Sequence, residues 1–319
     1  MHYDVFNGDA DGIIALLQLR LAEPKSAQLV TGVKRDIQLL DNIKVGVGDS
    51  LTVLDISMSR NQQGLRQALE SGAQVFYADH HQSGDIPTFP TLEAHINLDA
   101  NICTALIIDQ LLQGRFHYWA IVAAYGDNLL TRADELAHLA GLSLEQAQQL
   151  KELGTLVNYN GYGESLDDLH YHPAKLFQQL LAYDDPFAVI AAQDSPYHSL
   201  KAAYQQDMTS AQSLRPIYQD ANLNVYKLPN SAASRRISGV YGNWLANQTP
   251  HQAHLVLTEN SQNGYTVSLR APLDNKQGAG ELCSQFFSGG GREAAGGINN
   301  LEVEMLPSLI HKVSDYYQR

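Results

Sequence analysis

Short β-rich runs alternate with helical patterns through the first half of the chain, and this alternation constrains the fold more than any other feature. Tyr3-Asp4-Val5-Phe6 reads as a strand, with a helix from Ile13 to Leu21 behind it. Leu29 to Val33 reads as a second strand and Leu51 to Leu54 as a third, followed by a helix from about Asn61 to Ser71. Gln74 to Tyr77 is a fourth strand. Strands separated by helices in this way build right-handed βαβ units on a mostly parallel sheet. From Thr104 to Leu180 the pattern is mainly helical, interrupted at Asn158 to Gly163. After about Asp185 a polar, helix-like stretch through Gln205 and Gln212 leads to strand patterns at Leu223 to Tyr226, His254 to Leu257 and Tyr265 to Leu269. A glycine-rich segment and a helix near Leu306 to Tyr317 follow. The expected architecture is α/β: a first domain over 1–185, a connector over 186–215 and a smaller α/β domain over 216–319. A chain of 319 residues suits two such domains.

Four strand ends or helix ends in the first domain carry acids or imidazoles. The first strand runs into Asn7-Gly8-Asp9-Ala10-Asp11-Gly12, the third ends on Asp55, the fourth on Asp79-His80-His81, and Asp127 follows the apolar stretch Tyr118 to Tyr125. Neighbouring parallel strands lie ~4.8 Å apart, so carboxylates at adjacent ends meet around one point, and open α/β sheets place their active groups at those carboxyl ends. Taken singly, an Asp-x-Asp-Gly segment is ordinarily a turn, Asp55 a helix cap and His80 a satisfied core histidine. Their coincidence at strand ends of one alternating domain favours a metal centre. Clustered carboxylates repel one another, and a pair of divalent ions ~3.5–4 Å apart relieves that repulsion while activating water for attack at phosphorus. Mixed carboxylate and imidazole donors suit Mn²⁺.

Charge and cysteine content narrow the partners. There are 21 basic and 34 acidic residues, a net charge of −13, which opposes long nucleic acid, whose binding relies on many Lys and Arg contacts to phosphate. A small anionic substrate held by a local cationic pocket remains compatible. Cys103 and Cys283 are the two cysteines, which argues against a disulfide framework or a structural zinc site. No apolar run approaches the ~20 residues that span a bilayer, and Met1-His2-Tyr3-Asp4 lacks an export pattern. A cytoplasmic protein without a membrane partner is expected, and a homodimer stays open.

Asp79-His80-His81 matches the motif that names the DHH phosphoesterases. Asn7 to Gly12 resembles that family's first motif, Asp55 its second and Asp127 its fourth. Gly289-Gly290-Gly291-Arg292-Glu293-Ala294-Ala295-Gly296 resembles the glycine signature of the accompanying DHHA1 domain. The resemblance runs from residue 7 to residue 296 in the family's order. It implies a DHH catalytic domain facing a smaller DHHA1 domain across a cleft, and two metal ions, with Asp55 bridging, Asp9 on the first ion, and Asp11, His80 and Asp127 on the second. It places His81 at the substrate phosphate or the attacking water, supported by Asp79. Arg270, the glycine run Gly289-Gly290-Gly291 as an anion-binding loop, and Arg292 are the implied substrate contacts. Three departures stand out. Val5 occupies a position where many members have His, Asn7 one where others have Asp, and Arg292 replaces the usual His. Asn7 is therefore a further candidate donor for the first ion. Arg235 and Arg236, near an expected strand, read as surface charge.

The implied activity is metal-dependent hydrolysis of short linear oligoribonucleotides, dinucleotides such as pGpG foremost, to mononucleotides. The alternatives are a cyclic-dinucleotide phosphodiesterase, an adenosine 3′,5′-bisphosphate phosphatase, a RecJ-like single-strand exonuclease, a pyrophosphatase, and, from a different class, a non-catalytic nucleotide-binding module.

Overall fold

A computed structural model describes residues 1–318, and the elements below are those of the described residues. They divide into two compact units, Met1–Ala202 and Ala203–Arg319.

The first unit is built on strands β1 (His2–Phe6), β2 (Gln28–Val30), β3 (Ser50–Leu54), β4 (Gln74–Asp79) and β5 (Leu92–Ile96). They form one sheet in the order β2-β1-β3-β4-β5, and every pair is parallel. Its helices are α1 (Ala10–Ala22), α2 (Gln62–Glu70), α3 (Thr104–Leu111), α4 (His117–Gly126), α5 (Leu130–Leu139), α6 (Leu144–Asn160), α7 (Pro173–Leu180) and α8 (Pro186–Ala191). The division between the units falls inside α9 (Pro196–Gln212). Val5, Val53 and Tyr77 are fully buried and join Ile56, Met58 and Leu65 in one core. Ile13, Ile14, Leu16 and Leu17 are buried as well, so α1 is apolar around its circumference, as expected of a helix enclosed on all sides. Asp11, Gln18 and Arg20 are its buried polar residues, and Arg20 makes the widest contacts. Its Nε donates to Asp4 Oδ2 at 2.9 Å, and its Nη2 donates to Asp4 Oδ1 at 2.5 Å and to Thr52 Oγ1 at 3.1 Å. One buried guanidinium thus ties α1 to both β1 and β3.

The second unit holds β6 (Tyr218–Gln219), β7 (Leu223–Leu228), β8 (Ala253–Glu259), β9 (Tyr265–Arg270), β10 (Gly289–Gly291) and β11 (Ala295–Leu301), in the order β10-β11-β9-β8-β7-β6. β7 and β8 are parallel and the other pairs antiparallel. A parallel pair requires a crossover, which is α10 (Ala232–Gln248). Arg235 and Arg236 therefore lie on the helix that follows β7 and packs on β8. Arg236 is also not surface charge: it is 13% exposed and pairs with Asp207 at 3.0 Å. Helices α11 (Ala279–Ser284) and α12 (Leu306–Tyr317) complete the unit, and Leu255, Val267, Ile298, Leu309 and Val313 share its core.

The glycine run is also not an open loop. Gly289, Gly290 and Gly291 pair with Ile298, Gly297 and Gly296 as the edge strand β10. A Cβ on Gly289 would come within 1.8 Å of the Cys283 carbonyl oxygen, so close packing of α11 demands glycine there. No described helix is long and apolar enough to cross a membrane.

His254, on β8, is 1% exposed, and its Nδ1 has no hydrogen-bond partner. Burial pushes its pKa down to about 4 from 6.5. Below pH 6.5 the unfolded chain takes up a proton that the folded chain refuses, so stability is full above 6.5 and declines as pH falls towards 4. The whole window corresponds to roughly 3 kcal/mol. Urea unfolding of the second unit, followed across this range, is expected to show that loss, and His254→Gln to flatten it.

Candidate metal centre

The side chains of the acidic constellation are held at the carboxyl edge of the first sheet by the start of α1, the ends of β3 and β4, and the end of α4. Asp9 caps α1, its Oδ1 accepting from the backbone N–H of Asp11 at 3.0 Å and of Gly12 at 3.1 Å. Asp11, in the first turn of α1, reaches across to α3, where its two oxygens accept from the N–H groups of Thr104 and Ala105, each at 2.7 Å. Two unpaired donors at a helix start thereby fix a carboxylate by charge-assisted bonds. Asp55 follows β3 with φ +58°, a left-handed conformation that Asp tolerates better than most residues. Its Oδ1 accepts from Thr104 Oγ1 at 3.2 Å.

His80 and His81 follow β4. His80 Nδ1 lies 2.7 Å from the Ile102 carbonyl oxygen. A carbonyl only accepts, so Nδ1 carries a hydrogen, and Nε2 is the nitrogen turned towards the carboxylates. That nitrogen lies 3.4 Å from Asp55 Oδ1 and 3.6 Å from Asp11 Oδ2. His81 Nδ1 lies 2.8 Å from Asp79 Oδ1 and 3.7 Å from Asp55 Oδ1. Asp79 is fully buried, and its Oδ2 has no hydrogen-bond partner.

Asp55, His80 and His81 each offer one ligand atom, and these atoms lie within 4.8 Å of one another. The donor set fits a divalent ion on chemical grounds. A histidine whose second nitrogen donates to a backbone carbonyl is the usual arrangement for a metal ligand. Burial, and then the charges of Asp11, Asp9, Asp79 and Asp127, push the Asp55 carboxyl well above the ordinary carboxylate range. Asp127, at the end of α4, acts electrostatically on Asp9 and Asp55. The structure thus brings Asp9, Asp11, Asp55, Asp79, His80, His81 and Asp127 around one region.

Asn7 stands close by, with both ends of its amide engaged: Oδ1 accepts from Asp9 N at 3.2 Å and Nδ2 donates to the Lys34 carbonyl at 3.2 Å. Lys34 itself was not legible as a site residue. It follows β2, and its ammonium forms an ion pair with Asp9 Oδ2 and donates to Asn158 Oδ1 at 3.2 Å. Burial would lower its pKa, but the charges of Asp9, Tyr162 and Asp127 and the Asp9 hydrogen bond together raise it. In turn, burial would raise the Asp9 pKa, and Lys34 holds it below the ordinary range. The available signal was position alone, since Lys34 lies just beyond the strand next to β1.

The second unit carries Arg270 at the end of β9. Its Nε donates to Asn243 Oδ1 at 2.5 Å, its Nη1 to Ser268 Oγ at 2.9 Å, and its Nη2 to the Gly239 carbonyl at 3.3 Å, so the guanidinium is fixed. Ala295 pairs with Arg270, and Arg292 N donates to the Ala295 carbonyl at 2.8 Å. Arg270, Arg292 and Gly291 therefore cluster at one end of this sheet.

No family model and no curated protein matches the sequence. Solved structures do. RecJ from Thermus thermophilus, in complex with Mn²⁺, matches with a TM-score of 0.65 at 17% identity, over 100% of this chain and 52% of that one. This chain thus spans about half the length of that nuclease. An exonuclease RecJ bound to manganese matches with a TM-score of 0.58 at 17% identity, over 100% of this chain and 90% of its own. The pGpG-specific phosphodiesterase PggH from Vibrio cholerae matches with a TM-score of 0.55 at 14% identity, over 99% of both chains. The fold is that of the DHH/DHHA1 phosphoesterases. The likeness to RecJ and to PggH is one of fold.

Proposed function

We propose that the protein is a metal-dependent phosphodiesterase that hydrolyses short linear oligoribonucleotides, with dinucleotides such as pGpG preferred. The observation that carries the reading is the Asp55–His80–His81 cluster, in which three donors from two adjacent strand ends converge within 4.8 Å. Asp55, His80 and Asp11 would hold the ion, with Asp127 and Asp9 completing the negative field. Mn²⁺ suits this donor set, and the two RecJ structures contain it. The chemistry supplied at these residues by a divalent ion would be a lowered pKa for its water and neutralisation of charge on the phosphoryl oxygens.

The chain's own residues supply the remainder. Asp79 orients His81 through Nδ1, leaving Nε2 to exchange a proton with the attacking water or the leaving oxygen. The His81 side chain is 31% exposed and Asp79 fully buried, the arrangement of a proton-transfer group on a fixed support. Arg270 and Arg292 offer guanidinium groups, which match phosphate geometry. The net charge of −13 disfavours long polymers. Similarity in fold to PggH over nearly the full length of both chains supports a short substrate, as PggH is specific for pGpG.

The test is turnover in Mn²⁺ of pGpG, other dinucleotides, a longer RNA, a longer single-stranded DNA, cyclic di-GMP and adenosine 3′,5′-bisphosphate. Dinucleotide cleavage at least roughly tenfold faster than any other, about 1.4 kcal/mol in transition-state stabilisation, is expected. Preference for the cyclic compound, the bisphosphate or a long strand would overturn the substrate assignment and leave the metal centre intact. Nucleotide binding without turnover of any of them would make the protein a binding module.

A further inference from the structure

We propose that Lys34 occupies the seat that a second ion would take beside Asp9, so that the centre works with one divalent ion and one fixed ammonium. The inference rests on the metal-dependent reading above and concerns how its cationic charge is supplied.

Both oxygens of Asp9 are already engaged. Oδ1 caps α1 through two backbone N–H groups, and Oδ2 carries the Lys34 ion pair. The neighbouring positions that could serve an ion there are also committed. The Asn7 amide is bonded at both ends, and Val5 is fully buried in the core behind the sheet. An ion on the Asp9 side would therefore sit directly against the Lys34 ammonium, whose positive charge opposes it.

Lys34 is positioned rather than merely nearby. Its backbone N–H donates to the Gly161 carbonyl at 2.8 Å, and its carbonyl accepts from Asn7. The segment can approach so closely because residue 8 is glycine: a Cβ there would lie 1.9 Å from the Gly32 carbonyl oxygen. The ammonium meets Asp9, Asn158 Oδ1 and the face of Tyr162, 5.5 Å from the ring centroid. With its side chain 24% exposed, it keeps an edge open to a substrate oxygen. Lysine is a compact point charge with three donors, suited to a phosphoryl oxygen shared with an ion on its other side.

The opposite side of the cluster has the reverse character. His80 Nε2 lies 3.4 Å from Asp55 Oδ1 and 3.6 Å from Asp11 Oδ2, so one imidazole nitrogen and two carboxylate oxygens face a common point. This is where one divalent ion has its donors.

The experiment is the stoichiometry of Mn²⁺ binding by calorimetry, with electron paramagnetic resonance on the same samples, for wild type, Lys34→Met and Asp9→Asn. Wild type is expected to bind one ion per chain with an uncoupled spectrum up to millimolar Mn²⁺. Lys34→Met frees Asp9 and is expected to move towards two ions with a spin-coupled signal, whereas Asp9→Asn retains one. Two coupled ions in wild type would overturn the proposal, and so would a folded Lys34→Met that still binds one. The wild-type count decides the matter even if the variant misfolds. No Mn²⁺ bound to wild type would instead overturn the metal-dependent reading itself, and this inference with it.

Discussion

Asp55→Asn is expected to abolish Mn²⁺ binding and to lower turnover by at least roughly 10³-fold, since a catalytic ion is worth several kcal/mol and each decade costs about 1.4 kcal/mol. The same change is expected to raise the melting temperature of the metal-free protein. Burial, and then Asp11, Asp9, Asp79 and Asp127, hold the Asp55 carboxyl above its ordinary 3.8 in the fold. The unfolded chain ionises first as pH rises, so without metal this carboxyl destabilises the fold above that value. Asparagine removes the charge and still tolerates the left-handed backbone at φ +58°. Mn²⁺ should then raise the melting temperature of wild type and leave that of Asp55→Asn unchanged. Calorimetric melts with and without the ion separate loss of function from loss of fold.

The second large effect is structural. Arg20→Met is expected to destabilise the first unit by ~3–5 kcal/mol, the usual consequence of leaving a buried charge without its partner. Asp4 is 1% exposed, and burial would raise its pKa, but hydrogen bonds from Arg20 and His2 keep it low. Removing Arg20 strands that carboxylate and deprives Thr52 of a donor. Replacing both partners, as in Asp4→Leu with Arg20→Met, should recover most of the loss, because a buried ion pair gains little over a well-packed apolar pair. Denaturant unfolding of the two single variants and the double variant measures this coupling.

These residues also show what could be read from the chain before its structure. β1, β3 and β4 were legible because each is a short apolar run with an acid at or shortly after its end, and α12 because Leu306 to Tyr317 keeps helical periodicity. β5 was not. Leu92-Glu93-Ala94-His95-Ile96 is a half-exposed edge strand with no apolar run to announce it. α10 was missed for a related reason: Gly239, Gly242 and several serines lower its helix propensity, and its place is set by the parallel pair it connects. β10 carries only glycine, so its pairing with β11 has no side-chain signal. At the site, the motif residues Asp9, Asp11, Asp55, Asp79, His80, His81 and Asp127 were legible by position. The groups that fix them were not, because the backbone partners of His80 and Asp11, at Ile102 and Thr104, come from distant segments. Lys34 had no pattern around it. Its meaning arises only when Gly8 lets its loop close over Asp9.

The most direct test of a metal-dependent phosphodiesterase is to strip the protein with EDTA and follow pGpG hydrolysis as Mn²⁺ is added back, with Asp55→Asn alongside. The expected result is no turnover without metal, saturable production of mononucleotide as Mn²⁺ binds to wild type, and none in the variant. Equal turnover in EDTA, or undiminished turnover in Asp55→Asn, would contradict the assignment of the Asp55–His80–His81 cluster as the catalytic centre.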